Sequence, residues 1–276
     1  MSLTLGTGPL GTHPAGDFNF RLDGAPAHRL YFEPYPRRVR ALVGDRIVLD
    51  SVRGRLQHES ELLPRLYVPL EDLDDSLLER TETSTHCPFK GDASYFRLVA
   101  GDRRIEDAVW TYEQPIDPAG WLKGFACLYW EKADAWFIED ERVFGHLRDP
   151  YHRVDVFEAS RPVRVMAAGE TIAESSRAKL LYETGLPPRA YLPGADIAAG
   201  ALAAAEKTSV CPYKGEAVYW HVQVDGRRFE DAAWSYEAPL AEALAVARHV
   251  SFAGEGIEVE VAEPADRFTL AAPVAA

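Results

Sequence analysis

Residues 87–115 read C-P-F-K-G-D-A-S-Y-F-R-L-V-A-G-D-R-R-I-E-D-A-V-W-T-Y-E-Q-P, and residues 211–239 read C-P-Y-K-G-E-A-V-Y-W-H-V-Q-V-D-G-R-R-F-E-D-A-A-W-S-Y-E-A-P. The two stretches align without a gap at an offset of 124, with 15 of 29 positions identical. Chance would give about two. The match uses scarce residues: two of three cysteines and two of six lysines occupy the same pentapeptide. The offset extends upstream, where His28-Arg29 meets His152-Arg153 and Val39-Arg40 meets Val163-Arg164. Tyr67-Val68-Pro69 meets Tyr191-Leu192-Pro193, with one inserted residue expected near Ala168. Residues 41–56 and 165–180 have diverged heavily, so the duplication is not recent. A unit of this length is domain-sized rather than a solenoid repeat. The expected organisation is an arm at 1–24, a first repeat at 25–145, a second at 146–265 and a tail at 266–276.

Each copy reads mainly as strands. Residues 39–50 form two alternating runs around Gly44-Asp45, and 163–174 do the same around Gly169-Glu170. Gly101-Asp102 and Asp225-Gly226 mark hairpins between the long strands of the repeated stretch. A further hairpin is expected over 249–261. Short helices are expected from Asp72 and Asp196, each as an N-cap, and over 240–247. The fold class is therefore mainly β: two tandem β-rich domains, each with one or two short helices.

Composition narrows the function. Apolar residues make up 47% of the 276 residues and charged residues 26%, ordinary for a globular chain. The net charge of −13 and the lack of any basic run argue against nucleic acid and anionic membrane surfaces. No apolar run is long enough to span a bilayer. Three cysteines give no disulfide framework, which fits a reducing cytoplasmic setting. The spacing expected of zinc ligands, of a phosphate-binding loop or of a nucleophile elbow is missing, so neither metal nor cofactor is expected. The expected partner is a small molecule, with homo-oligomerisation left open.

The shared stretch supplies the candidate site. Cys87 and Cys211 sit in tight turns, with Lys90 and Lys214 three residues on. A nearby ammonium lowers a thiol pKa, which would make these cysteines nucleophiles; the alternative is that they pack as small apolar groups. A recurring Lys among 24 arginines suggests a compact charge that can contact a ligand. Tyr95, Trp110 and Tyr112, repeated as Tyr219, Trp234 and Tyr236, would line a slot beside Ala93 and Ala108, or simply form the β core. Glu113 and Glu237 close the strand and are candidate ligand acceptors or bases. Asp107 and Asp231 are expected to pair with the Arg103-Arg104 and Arg227-Arg228 hairpins. No histidine is expected near either cysteine in both copies, since His86, His221 and His58 lack counterparts.

The arrangement Y-[VL]-P-x-x-D, then C-P-[FY]-K-G-x-A-x-Y, then D-A-x-W-x-Y-E-x-P resembles the domain-of-unknown-function family numbered 427, sometimes labelled nucleotidyltransferase-like. The resemblance covers both copies after residue 25. It implies a bent two-sheet arrangement similar to the Mss-four-like group, with the Cys, Lys, Trp, Tyr and Glu positions gathered at one site per copy. Relatives of that group often carry zinc, for which this chain lacks the cysteines. Three readings follow: a pair of domains binding a planar or anionic metabolite, an enzyme using the Cys/Lys pair, or a structural module.

Overall fold

Successive side chains of a strand point to opposite faces of a sheet, and the central strands of each large sheet bury apolar residues on both faces. The structure, a computed structural model, describes residues 3–6, 8–16, 18, 24 and 26–263. The expected tail at 266–276 and part of the arm lie outside the described residues. The chain divides into two units, Met1–Tyr151 and His152–Ala276.

The first unit contains β1 (Leu30–Pro34), β2 (Val39–Val43), β3 (Arg46–Ser51), β4 (Arg55–Glu59), β5 (Leu62–Pro69), β6 (Leu78–Cys87), β7 (Gly91–Ala100), β8 (Arg103–Thr111), β9 (Phe125–Leu128), β10 (Ala135–Ile138) and β11 (Glu141–Val143). A seven-stranded antiparallel sheet runs β1-β4-β5-β9-β8-β7-β6, and a four-stranded sheet runs β11-β10-β2-β3. The second unit repeats this with β12 (Val154–Glu158), β13 (Val163–Ala167), β14 (Glu170–Ser175), β15 (Lys179–Glu183), β16 (Arg189–Pro193), β17 (Leu202–Cys211), β18 (Gly215–Val224), β19 (Arg227–Ser235), β20 (His249–Phe252) and β21 (Ile257–Val261). Its large sheet runs β12-β15-β16-β20-β19-β18-β17 and its small one β14-β13-β21. The protein is thus mainly β, in two tandem halves with few short helices.

Each half has two apolar clusters. One includes residues from both sheets, such as Val39, Leu56, Val68 and Leu98 in the first unit, and Val163, Leu192 and Val222 in the second. The other is built on alternate positions of the same long strands. On β5, Leu66 and Val68 join the first cluster while Tyr67 joins the second. On β9, Ala126 and Leu128 alternate with Cys127 in the same way.

Four local expectations are corrected. The offset of 124 is unbroken: the β13–β14 turn is Ala168-Gly169, matching Gly44-Asp45, so no residue is inserted. Residues 72–80 form no helix. Short 3-10 turns at Leu70–Asp72 and Asp75–Leu77 lead directly into β6, and Gly194–Asp196 precedes β17. Asp72 is not an N-cap. Its carboxylate accepts from Ser51 Oγ at 2.6 Å and from Arg53, while Asp196 accepts from Ser175 Oγ at 2.6 Å and from Arg177. Tertiary tethering overrides local helix preference. Residues 249–261 form no hairpin, because β20 pairs in the large sheet and β21 in the small one.

The fourth concerns faces. Asp107 and Asp231 have φ of 49° and 51°, and the β7–β8 and β18–β19 registers shift there. This bulge turns Ala108 toward the first cluster while Trp110 and Tyr112 face the second. Asp107 accepts from Thr81 and Thr83 hydroxyls at 2.7 and 2.9 Å rather than from Arg103 or Arg104. Among the described residues no helix is long and apolar enough to cross a membrane.

Candidate functional site

The C-P-x-K-G turns aim a lysine inward. Gly91 and Gly215 adopt φ of 103° and 96°, a region L side chains avoid. A Cβ at Gly91 would stand 3.3 Å from the Gln114 carbonyl. The turn is anchored by the Ile116 amide donating to the Lys90 carbonyl, as Leu240 does to Lys214. Lys90 and Lys214 are each 8% exposed.

Each lysine ends on a carboxylate from another strand, buried for Glu59 and largely covered for Glu183. Lys90 Nζ donates to Glu59 Oε2 at 2.5 Å, and Lys214 Nζ donates to Glu183 Oε2. The other carboxylate oxygen takes a histidine: His28 Nε2 lies 2.8 Å from Glu59 Oε1, and His152 Nε2 lies 3.0 Å from Glu183 Oε1. The residue before each lysine stacks on that imidazole, with Phe89 3.8 Å from His28 and Tyr213 4.1 Å from His152. His, Glu and Lys come from the lead into the first strand, the end of the fourth and the turn after the sixth. They recur at the same offset in both halves.

Burial alone would raise the Glu183 carboxyl. The hydrogen bonds and charges of His152 and Lys214 outweigh it and hold the group down at about 2. Lys214 therefore faces a permanent anion and is no bare cation. With Nε2 on the carboxylate, each imidazole keeps Nδ1 for other partners.

The ring cluster adjoins this triad. Cys87, Ala93, Tyr95, Trp110 and Tyr112 pack together with Tyr67, as Cys211, Ala217, Tyr219, Trp234 and Tyr236 do with Tyr191. The Trp110 and Trp234 indoles donate to the Tyr67 and Tyr191 hydroxyls, both at 3.1 Å. Tyr95 bonds Thr85 at 2.9 Å and Tyr219 bonds Ser209 at 3.0 Å. Lys90 Nζ lies 5.9 Å from the Tyr112 ring centroid. Burial pushes the Tyr112 and Tyr236 phenols up, and the neighbouring Cys87 and Glu59, or Tyr191 and Cys211, add to it. The thiol, ammonium and ring positions named from the sequence thus lie around one place in each half.

Glu113 and Glu237 do not join them. Alternation puts Tyr112 inward and Glu113 outward, where Arg80 pairs with it. Glu237 is exposed and accepts from Ser235 Oγ at 3.1 Å. Sequence reasoning missed Glu59 and Glu183 and used His28 and His152 only as alignment landmarks. The expectation that no shared histidine lies near the cysteine turn is corrected by the stacking on Phe89 and Tyr213. The signal was available: a Glu stands at both positions once no gap is placed near Ala168.

Two clefts open beside this region in the first half. One, of about 500 Å³, is lined by His28, Leu30, Tyr31, Pro88, Phe89 and Ile116 among others. The second, of about 420 Å³, is lined by Phe32, Arg55, Trp121 and Phe125 among others. In the second half His221, Glu230 and Asp231 place possible ligand atoms within 4.8 Å of one another. Arg228 and Lys207 already pair with the two carboxylates, and Arg97 stands in place of His221 in the first half.

Fold and site together define a tandem duplication of one small β domain, with a Lys–Glu–His triad against a ring cluster in each copy. A family model described as Domain of unknown function (DUF427) matches residues 31–139 and again 155–263, and the chain belongs to that family. No curated protein matches it.

Proposed function

We propose that each half is a small-molecule-binding module whose ligand rests against the ring cluster, with the Lys–Glu–His triad as its polar anchor. One observation carries this reading: three chemically distinct groups, brought from three separate elements, recur in both halves as a triad whose lysine is buried and whose carboxylate and imidazole are largely covered. Burying a Lys and a Glu costs several kcal/mol each in desolvation, and well-packed apolar residues serve a core at least as well. Retention of the charged set in both halves, beside a cleft of ligand size in the first, therefore favours recognition over packing. The bound group need not be an anion held by lysine, since Glu59 and Glu183 neutralise Lys90 and Lys214 in place.

A thermal-shift screen of metabolites tests the reading. A ligand present at 100 times its Kd stabilises by about 2.7 kcal/mol. Wild type should show such a shift with at least one compound, and Glu183→Leu combined with Lys214→Met should reduce it. No shift with any compound, or an undiminished shift in the double variant of each half, would refute it.

Enzymatic use of the same site has one observation in its favour. A carboxylate on Nε2 leaves imidazole Nδ1 disposed as a base. Chemistry would then run through His28 or His152, with Cys87 and Cys211 as neighbours. A bell-shaped or sigmoidal pH dependence of Cys211 alkylation, lost in His152→Phe, would support coupling of the two groups.

A further inference from the structure

The first half carries a ring that the second half lacks. Tyr129 follows β9, and its amide donates to the Ala108 carbonyl at 3.0 Å. At the equivalent place Ala253 follows β20, and its amide likewise donates to the Ala232 carbonyl at 3.0 Å, so the backbone is the same in both halves and only the side chain differs.

The Tyr129 ring is held like a ligand. Its centroid lies 4.3 Å from that of Trp110, and its phenol feels the neighbouring Tyr95 hydroxyl. Burial pushes the phenol up to about 12, and Tyr95 adds to this while the Arg65 charge opposes it. Lys132 stands 5.1 Å over the ring.

The second half keeps the holders and drops the ring. Trp234, Tyr219 and Arg189 occupy the positions of Trp110, Tyr95 and Arg65, with a methyl group where the phenol was. Trp110 and Tyr95 are 7% and 9% exposed, whereas Trp234 and Tyr219 are only half-buried. Arg189 lies 5.6 Å over the Trp234 ring and has no carboxylate partner among the described residues. Lys207 lies 4.4 Å over the Tyr219 ring, so a second cation stands on the rim, shared with Asp231.

We propose that Trp234, Tyr219 and Arg189 form a slot for a small aryl ligand bearing a phenol or an aryl carboxylate. The aryl face would lie on Trp234, and its oxygen would meet the Tyr219 hydroxyl and the Arg189 guanidinium. The first half fills its own slot with Tyr129, so the two halves differ in occupancy by design of sequence. This rests on the reading of the ring clusters as binding sites and names the ligand class for one of them.

The test is calorimetric titration of the full chain with 4-hydroxybenzoate, with benzylamine as the cationic control. Wild type should bind one 4-hydroxybenzoate with a Kd on the order of 1 mM or tighter, as a ligand of this size allows. Ala253→Tyr should abolish binding, because it installs the ring the first half carries. Arg189→Gln should weaken it by about tenfold, and benzylamine should not bind. Tyr129→Ala should open a second site; if that variant does not fold, Ala253→Tyr decides alone. No saturable binding by wild type, or equal binding by Ala253→Tyr, overturns the proposal. A different compound from the metabolite screen that shifts Ala253→Tyr as much as wild type would overturn this slot while leaving the wider reading intact.

Discussion

Glu183 joins burial, charge and pH at one atom group. Its carboxyl titrates at about 2 in the folded protein, against an ordinary value of 4.5. A depressed acid contributes its full stability above the unfolded value and loses it as pH falls. The wild type should therefore weaken as pH drops from 4.5 toward 2, by at most about 3 kcal/mol from this residue. Glu183→Gln should be less stable at pH 7 by about 3–5 kcal/mol, because Lys214 is left buried and unpaired. Its stability should also fall less steeply through the acid window. Urea unfolding of both proteins at several pH values checks the two signs together.

At the scale of elements, one bulge decides which side chains meet. Asp107 and Asp231 hold left-handed backbone inside a strand, and each turns the next residue to the opposite cluster. Asp tolerates this region better than a β-branched residue does. Asp107→Val should cost about 2 kcal/mol or more, and Asp107→Gly clearly less, by denaturant unfolding. The bulge also marks the limit of what was legible. Strand positions, the Gly-Asp and Asp-Gly turns and the pairing of Trp110 with Tyr112 follow from alternation. The facing of Ala108 does not, because a simple period of two carries no sign of an inserted residue. The missing helix at Asp72 has a similar cause: Ser51 and Arg53, about twenty residues away in sequence, claim its carboxylate.

At the scale of the molecule, duplication made both the fold class and half of the site readable. The repeated Cys, Lys and ring positions announced themselves by identity. Glu59 and Glu183 lie where the flanking residues have diverged, and only the folded tertiary arrangement brings them to the lysines. Each unit owns its two clusters, so residues 152–276 expressed alone should unfold in one cooperative transition. A broad, non-cooperative melt monitored by near-ultraviolet circular dichroism would count against independent cores.

The proposed function requires that the charged triad serve recognition and not the stability of the sheet. Denaturant unfolding of Lys214→Met combined with Glu183→Leu and His152→Phe tests this most directly. Stability within about 1 kcal/mol of wild type is expected, while Lys214→Met alone should lose about 3–5 kcal/mol. A triple variant as unstable as the single one would contradict it, because the triad would then be holding the fold together.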